Sequence, residues 1–288
     1  MKKRYAVLLS YLGTAYNGWQ IQAHPLGADP TIQAACEETL EKMIGIRPHW
    51  AASGRTDTGV HAMGQVAAFT VDWGGDFRKG KPEVTAYHLL RGLNTLLPPA
   101  IRVLDLREAP LDFHPQIHAE KKQYSYYIQT GIAPSALYEP FSRFLRGPID
   151  VSAMNASVKH LIGEHEFKPF QAAGSTPLKS TMRTIYEAEV VECAPAPPFV
   201  APIGSLRMIR IRVVGSGFLR HMVRGIAGTL MDVGLGKRAP ECMAEILRTG
   251  NRELLGRTAS AQGLWLEKVW YPNFDFESFA SPNGDPAE

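Results

Sequence analysis

The sequence has few cysteines and no long apolar run. Its three cysteines, Cys36, Cys193 and Cys242, stand far apart and form no CxxC pair. This spacing disfavours both a disulfide framework and a zinc knot. No apolar stretch approaches the ~20 residues of a membrane span, and the N-terminal one is too short for a signal peptide. We therefore expect a reduced, cytoplasmic protein with no membrane partner.

Acidic residues are absent from one long stretch. The 288 residues carry 31 Lys and Arg against 28 Asp and Glu, a net charge of +3. Between Cys193 and Met231, however, there is no Asp or Glu. The arginines of this stretch are Arg207, Arg210, Arg212, Arg220 and Arg224. Clustered arginines are typical of a phosphate-binding surface, so we predict a polyanionic partner.

The order of predicted elements repeats once along the chain. Strands are predicted at Arg4–Tyr11, Gln65–Val71, Ile101–Leu106, Gln123–Thr130, Thr184–Glu192, Leu206–Val214 and Gly263–Tyr271. Helices are predicted at Thr31–Ile46, Thr85–Leu97, Val151–Ile162, His221–Val233 and Pro240–Leu247. With a short strand-like segment at Trp50–Ser53, each half follows the order β-α-β-β-α-β.

That order predicts an α+β protein with two ferredoxin-like halves and a largely antiparallel sheet. We expect the halves at residues 1–110 and 111–273, followed by a flexible acidic tail at 274–288. The helices are expected to cover one face of the sheet and leave the other for a ligand.

The most unusual segment is SGRTDTGVHA, which runs from Ser53 to Ala62. Gly54 and Gly59 allow tight backbone conformations near a ligand. Asp57 would then be presented on a shaped loop, where a carboxylate can serve in catalysis. The alternative is an ordinary turn in which Asp57 bonds its own backbone and pairs with Arg55. The residues alone leave both interpretations open.

A second segment, KKQYSYYI, combines lysines with tyrosines on a predicted strand. Alternation puts Tyr124 and Tyr126 on one face and Tyr127 on the other. Tyrosines beside Lys122 suit base stacking with a phosphate contact. Buried tyrosines of an ordinary sheet fit the pattern equally well.

A third segment, GSGFLRHMVRG, leads from a glycine turn into a predicted helix. The free N–H groups of such a helix start can bind an anion. Arg220 and Arg224 are four residues apart, so we expect them on one helix face, with Arg224 able to reach Asp57. In the preceding strand, Arg210 and Arg212 are expected on the face opposite its apolar residues.

Several other activities find little support. The sequence lacks dinucleotide-binding, P-loop and serine-hydrolase motifs. The pairs His114/His118 and His160/His165 have no clear carboxylate partner, so no metal is expected. Two rival functions remain: a non-catalytic RNA-binding protein, and a metal-dependent hydrolase that uses these histidines.

Four motifs in the same order give the chain a resemblance to the bacterial tRNA pseudouridine synthase A family over about residues 3–273. They are YLGTAYNGWQ, GRTDTGVHA, KKQYSYYI and GSGFLRHMVRGIAG. The resemblance implies the pseudouridine synthase fold. It also implies isomerisation of uridine to pseudouridine at positions 38–40 of the tRNA anticodon arm, by a homodimer without a cofactor. The segment 72–82 looks like an insertion.

Roles for individual residues follow from the resemblance. It makes Asp57 the nucleophile, Tyr124 the contact to the flipped base and Arg224 the partner of the aspartate. Arg55 would help hold the target nucleotide out of the stem. The other substrate-binding candidates, expected to contact tRNA phosphates, are Lys122, Arg210, Arg212 and Arg220.

Overall fold

A computed structural model describes residues 1–22, 30–74, 84–193 and 206–272, together with residues 274 and 276. All structural statements concern these residues. Most of the predicted insertion at 72–82 and nearly all of the predicted tail lie outside them.

One β-sheet provides the framework of the protein. Its strands are β1 (Lys2–Tyr11), β2 (Ala51–Ala52), β3 (His61–Asp72), β4 (Ile101–Ala109), β5 (Lys121–Thr130), β6 (Arg143–Leu145), β7 (Gly163–Glu166), β8 (Met182–Cys193), β9 (Arg207–Gly215) and β10 (Leu264–Trp270). The order across the sheet is β4-β1-β3-β10-β5-β9-β8-β7, with β2 beside β3 and β6 beside β5.

The sheet is mixed. Strand β10 runs parallel to β3, and β6 runs parallel to β5. The remaining pairs among the described strands are antiparallel. A largely antiparallel sheet was predicted, and the parallel β3–β10 and β5–β6 pairs make it a mixed one. The β3–β10 pair joins the sheet of the N-terminal residues to that of the C-terminal residues, so the sheet is continuous.

The helices are α1 (Ile32–Ile44), α2 (Ala86–Leu96), α3 (Val151–Lys159), α4 (Met222–Gly234) and α5 (Cys242–Thr249). Local capping defines several of their ends. Asp150 accepts a hydrogen bond from the Ala153 N–H at 2.8 Å, which confirms it as the cap of α3. Thr31 caps α1, and Gly45 ends that helix with a left-handed φ of 74°.

The predicted strands and helices all occur, with ends that differ by a few residues. Two short strands, β6 and β7, were not predicted, because three or four residues carry too little periodicity to be recognised. Within the described part of the chain, no helix has the length and apolar character needed to cross a bilayer.

The two faces of β5 and β9 differ in chemistry. Tyr126 and Ile128 of β5 are buried on one face, where α4 packs. Ile209, Ile211 and Val213 of β9 pair with this face and are buried too. The opposite face carries Arg210, Arg212 and Tyr127. The predicted alternation of β9 is therefore confirmed, since every second residue faces the apolar core.

Candidate active site

A buried hydrogen-bond network fixes the loop between Ser53 and Val60. Gln65 of β3 donates to the Gly54 carbonyl at 2.9 Å and accepts from the Ser53 hydroxyl at 2.7 Å. The hydroxyls of Tyr11 and Thr56 lie 2.9 Å apart, and burial raises the pKa of Tyr11 to about 12. These bonds hold the backbone just before Asp57, so its carboxylate is presented in a defined place.

Two glycines complete the shape of this loop. Gly59 has a φ of 79°, a conformation that favours glycine. Gly18 also has a left-handed φ, of 78°, and a Cβ there would collide with the Thr56 carbonyl. The neighbouring Trp19 N–H donates to that same carbonyl at 3.1 Å. The opening motif of the sequence thus packs directly on the Asp57 loop.

Asp57 faces two basic side chains from one region of the fold. Its Oδ2 lies 3.5 Å from Arg224 Nη1 and 3.4 Å from His221 Nε2. The Asp57 side chain is 28% exposed, so it remains accessible to a substrate. The predicted Asp57–Arg224 pairing is confirmed as a contact. The alternative pairing with Arg55 is not found among the described ion pairs.

Arg224 is itself fixed by a two-point contact with the segment before β10. Its Nε donates to the Ala259 carbonyl at 2.8 Å. The Ala259 N–H donates back to the Arg224 carbonyl at 3.0 Å. The guanidinium is therefore a rigid donor to Asp57 rather than a mobile surface charge.

Tyr124 forms an aromatic wall beside this group. Its ring meets Phe218 edge to face, with 5.1 Å between centroids. Burial, together with the neighbouring Tyr11 and Asp57, raises the pKa of Tyr124, so the phenol stays neutral at physiological pH. Tyr124 shares the apolar face of β5, on which α4 packs. The site therefore lies on the helix-covered side of the sheet, whereas a ligand was expected on the uncovered face.

Lys122 lies two residues before Tyr124 and contacts the Asp57 loop. Its Nζ donates to the Ser53 carbonyl at 2.5 Å. Burial, and to a lesser extent Arg183, lowers the pKa of Lys122 to about 8. The structure thus gives Lys122 a contact within the fold in addition to its predicted contact with phosphate.

The buried Lys122 predicts a pH dependence of stability. In the unfolded chain this lysine keeps its proton up to about pH 10.5, whereas in the folded chain it loses it near pH 8. The unfolded state binds more protons between these values, so stability rises with pH there, by at most about 1.4 kcal/mol per pH unit. We expect Lys122→Met to remove this rise in denaturant unfolding between pH 7.5 and 9.5.

Lys121→Met is the matched control for this experiment. Lys121 lies on the same strand, and its ammonium stacks over the Trp270 ring instead of contacting Ser53. The free energy of unfolding of Lys121→Met is expected to rise with pH as that of wild type does. A Lys122→Met protein that keeps the full wild-type slope would contradict the assignment to Lys122.

One geometric prediction is wrong. Arg220 and Arg224 do not share a helix face, because α4 begins at Met222. His221 intervenes with a φ of 63°, which turns the chain between the two arginines. Arg220 is exposed, and its carbonyl accepts from the Ala172 N–H at 2.9 Å. The role of Arg220 in substrate binding stays a prediction.

Arg210 and Arg212 lie away from Asp57, on the polar face of the sheet. Arg210 pairs with Glu189 at 3.1 Å, and Arg212 pairs with Glu187 at 2.8 Å. Arg207 likewise pairs with Glu192. Strand β8 therefore supplies the acids that the arginine-rich stretch lacks, and much of the expected positive charge is balanced within the fold.

Arg55 is exposed beside Asp57, as a residue that contacts a nucleic acid requires.

The sequence pointed to no role for His221 or Gln65, although both contact the Asp57 loop. A histidine next to a helix start carries no signal for a left-handed backbone. A glutamine within a strand gives no sign of which distant carbonyl it will bind.

Among the described residues, no group of three His, Cys, Asp or Glu is arranged to hold a metal ion. The site instead offers one accessible carboxylate, fixed basic partners and an aromatic wall. Such a site can form a covalent bond through the carboxylate and hold a planar ring against the tyrosine.

Comparison with known proteins shows the class of protein to which this chain belongs. The model of the family described as tRNA pseudouridine synthase matches residues 157–272. Proteins named tRNA pseudouridine synthase A match nearly the whole chain. The one from Geotalea daltonii is 39% identical over 265 residues, which cover 92% of this chain and 98% of that protein.

Other relatives agree. The tRNA pseudouridine synthase A of Geobacter sp. strain M21 is 40% identical to this chain. The match covers 92% of this chain and 98% of the length of that protein. The tRNA pseudouridine synthase A of Myxococcus xanthus is 39% identical to this chain. The match covers 93% of this chain and 92% of the length of that protein. The chain therefore belongs to the tRNA pseudouridine synthase A family, a family of isomerases.

Proposed function

We propose that this protein isomerises uridine to pseudouridine at positions 38–40 of the tRNA anticodon stem-loop, with Asp57 as the nucleophile. The observation that carries the proposal is the accessible Asp57 carboxylate, held at Oδ2 by Arg224 and His221 beside Tyr124. Family membership supports tRNA as the substrate.

The reaction breaks the bond between uracil N1 and ribose C1′ and forms a bond between C5 and C1′. C5 gives up its proton and N1 gains one, so the product is an isomer and no oxidant is needed. Asp57 forms a transient covalent bond to the uracil ring or to C1′. Arg224 orients the carboxylate through its charge-assisted contact with Oδ2.

The remaining residues bind the tRNA and retain the detached uracil in the site. The target base leaves its stack at a cost of a few kcal/mol, which phosphate contacts and Arg55 offset. Tyr124 packs against the detached uracil while it rotates. Lys122, Arg210, Arg212 and Arg220 are proposed phosphate contacts; of these, Lys122 lies nearest to Tyr124 along the chain.

Finer features of the assembly belong to the same proposal. A cytoplasmic homodimer would bind the anticodon arm, and no cofactor takes part. We also infer two ferredoxin-like halves, at 1–110 and 111–273. This is supported by the strand orders β4-β1-β3 and β10-β5-β9-β8, which follow from one β-α-β-β-α-β path in each half.

Tritium release tests the reaction directly. Unmodified tRNA carrying uridine at positions 38–40 is labelled at uracil C5 and incubated with the protein. Formation of the new carbon–carbon bond expels the label into water, and mapping of pseudouridine then gives the positions. A folded protein that binds this tRNA without releasing tritium would instead be an RNA-binding protein.

Replacement of Arg224 separates catalysis from binding. We expect Arg224→Ala to slow single-turnover tritium release by about 100-fold or more, because Asp57 loses its fixed partner. The tRNA dissociation constant should change little. Arg224→Lys keeps the charge but loses the Ala259 contact, and should recover only part of the rate. A weaker affinity with an unchanged rate would make Arg224 a phosphate contact.

A further inference from the structure

His221 has an unusual backbone for a side chain of its size. Among the residues that the structure describes, it is the one non-glycine residue with a positive φ, at 63°. Side chains adopt this region at an energetic cost, and such residues concentrate at functional sites. The local sequence offers glycines at 215 and 217, yet the left-handed position is occupied by histidine.

Helix capping does not account for His221. The residue occupies the position before the first turn of α4, where Ser, Thr, Asn or Asp would bond a free N–H group. The His221 side chain makes no such bond. The position thus combines an uncommon backbone, which histidine adopts more readily than most side chains, with a weak capping residue. Capping does not explain the histidine.

The imidazole is directed at Asp57 instead. Its Nε2 lies 3.4 Å from Oδ2, the same oxygen that faces Arg224. In the described residues, both close basic groups around this carboxylate face Oδ2. Of the two contacts, the one with Arg224 is a hydrogen bond, and His221 Nε2 lies close to the same oxygen. Both groups therefore crowd Oδ2 and leave Oδ1 for the substrate. Contacts of this length in a free enzyme commonly tighten when substrate binds.

The charges around the ring favour a neutral imidazole. Burial lowers the pKa of His221, and Arg224, Arg220 and Arg252 add to this, while Asp57 opposes it. A neutral ring with a proton on Nε2 donates one hydrogen bond without adding a further positive charge next to the carboxylate.

We propose that His221 is a positioning residue for Asp57: its Nε2–H holds Oδ2 together with Arg224 and turns Oδ1 toward the uridine. The proposal rests on the assignment of Asp57 as the nucleophile. The left-handed backbone serves this role because it orients the His221 side chain toward the loop rather than along α4.

Three substitutions separate the side chain from the backbone. His221→Gly removes the imidazole and relieves the left-handed conformation. His221→Asn tolerates that conformation but is too short to reach Oδ2. His221→Gln places an amide N–H about where Nε2 lies. Each variant is assayed for single-turnover tritium release at saturating tRNA, for tRNA affinity and for thermal unfolding.

We expect the Gly and Asn variants to release tritium about 10- to 100-fold more slowly than wild type. Their affinity for tRNA should stay within about twofold, and the Gly variant should unfold no earlier than wild type. The Gln variant should be faster than the Gly and Asn variants. It should recover at least a third of their loss in the logarithm of the rate.

Three results would overturn the inference. They are a wild-type rate in the Gly and Asn variants, a lost rate that Gln does not restore, and a loss of affinity at an unchanged rate. Asp57→Asn is run in parallel. If it releases tritium like wild type, the nucleophile assignment fails; if it is inactive while the His221 variants are normal, only the role of His221 fails.

Discussion

Asp57→Asn is expected to abolish pseudouridine formation, lowering the single-turnover rate by at least about 10,000-fold. Asparagine has nearly the shape of aspartate, so its side chain still fits between Arg224 and His221. It lacks the anionic oxygen that forms the covalent bond, and no other carboxylate contacts these two residues among the described ion pairs. Tritium release from C5-labelled tRNA measures the loss.

The fold and tRNA binding should survive this change. Asp57 is partly exposed, and the loop around it is held by Gln65 and Tyr11, not by its own carboxylate. Circular dichroism and tRNA affinity should therefore match wild type. A variant that keeps near wild-type turnover would exclude Asp57 as the nucleophile.

Asp232→Asn provides a matched control. Its carboxylate is 25% exposed and lies 3.3 Å from Arg238, an environment close to that of Asp57. It belongs to the far end of α4 and contacts neither Arg224 nor the Asp57 loop in the described contacts. We expect a modest loss of stability and an unchanged rate of tritium release, because only the partly exposed ion pairs with Lys237 and Arg238 are weakened.

Gly228→Ala is expected to lower the free energy of unfolding by about 3 kcal/mol, near the upper end of common overpacking costs. A Cβ at this position in α4 would overlap the carbonyl oxygen of Arg257. That oxygen belongs to backbone, so the helix itself must move away. The shift would also disturb the bonds between Arg224 and Ala259, and turnover should fall with stability.

Gly225→Ala tests this explanation on the same helix. A Cβ there would lie 3.7 Å from the Phe170 ring, an ordinary contact. Alanine also favours the helix over glycine by up to about 1 kcal/mol, so this variant should be as stable as wild type or more so. Urea unfolding of both variants gives the comparison. Equal destabilisation would show that neither effect comes from the contact with Arg257.

Many features of the fold could be predicted because they depend on neighbouring residues. The alternation of Ile209, Arg210 and Ile211 fixes which side of β9 meets the core. Asp150 caps α3 through a bond to a residue three positions away. The contact between Arg224 and Asp57 was also expected, because the motifs that carry the two residues resemble those of a family in which they pair.

Other features depend on residues that are distant in the sequence. The acid-free stretch predicted a basic surface for a polyanionic partner, yet Glu187 and Glu189 of the adjoining strand pair with Arg212 and Arg210. The overlap of a Cβ at 228 with Arg257, and the bond from Gln65 to Gly54, likewise join separate segments. No local pattern encodes which segments will meet.

The sequence by itself predicted the elements, because periodicity and capping act within a few residues. Its family resemblance supplied Asp57 as the candidate nucleophile and tRNA as the partner. Only the tertiary structure decided that the site lies on the helix-covered side of the sheet and that His221 turns toward Asp57. It also decided that the arginines of β9 are paired with glutamates. These outcomes depend on the packing of strands and loops that folding brings together, and a left-handed residue or an ion pair persists only where that packing holds it.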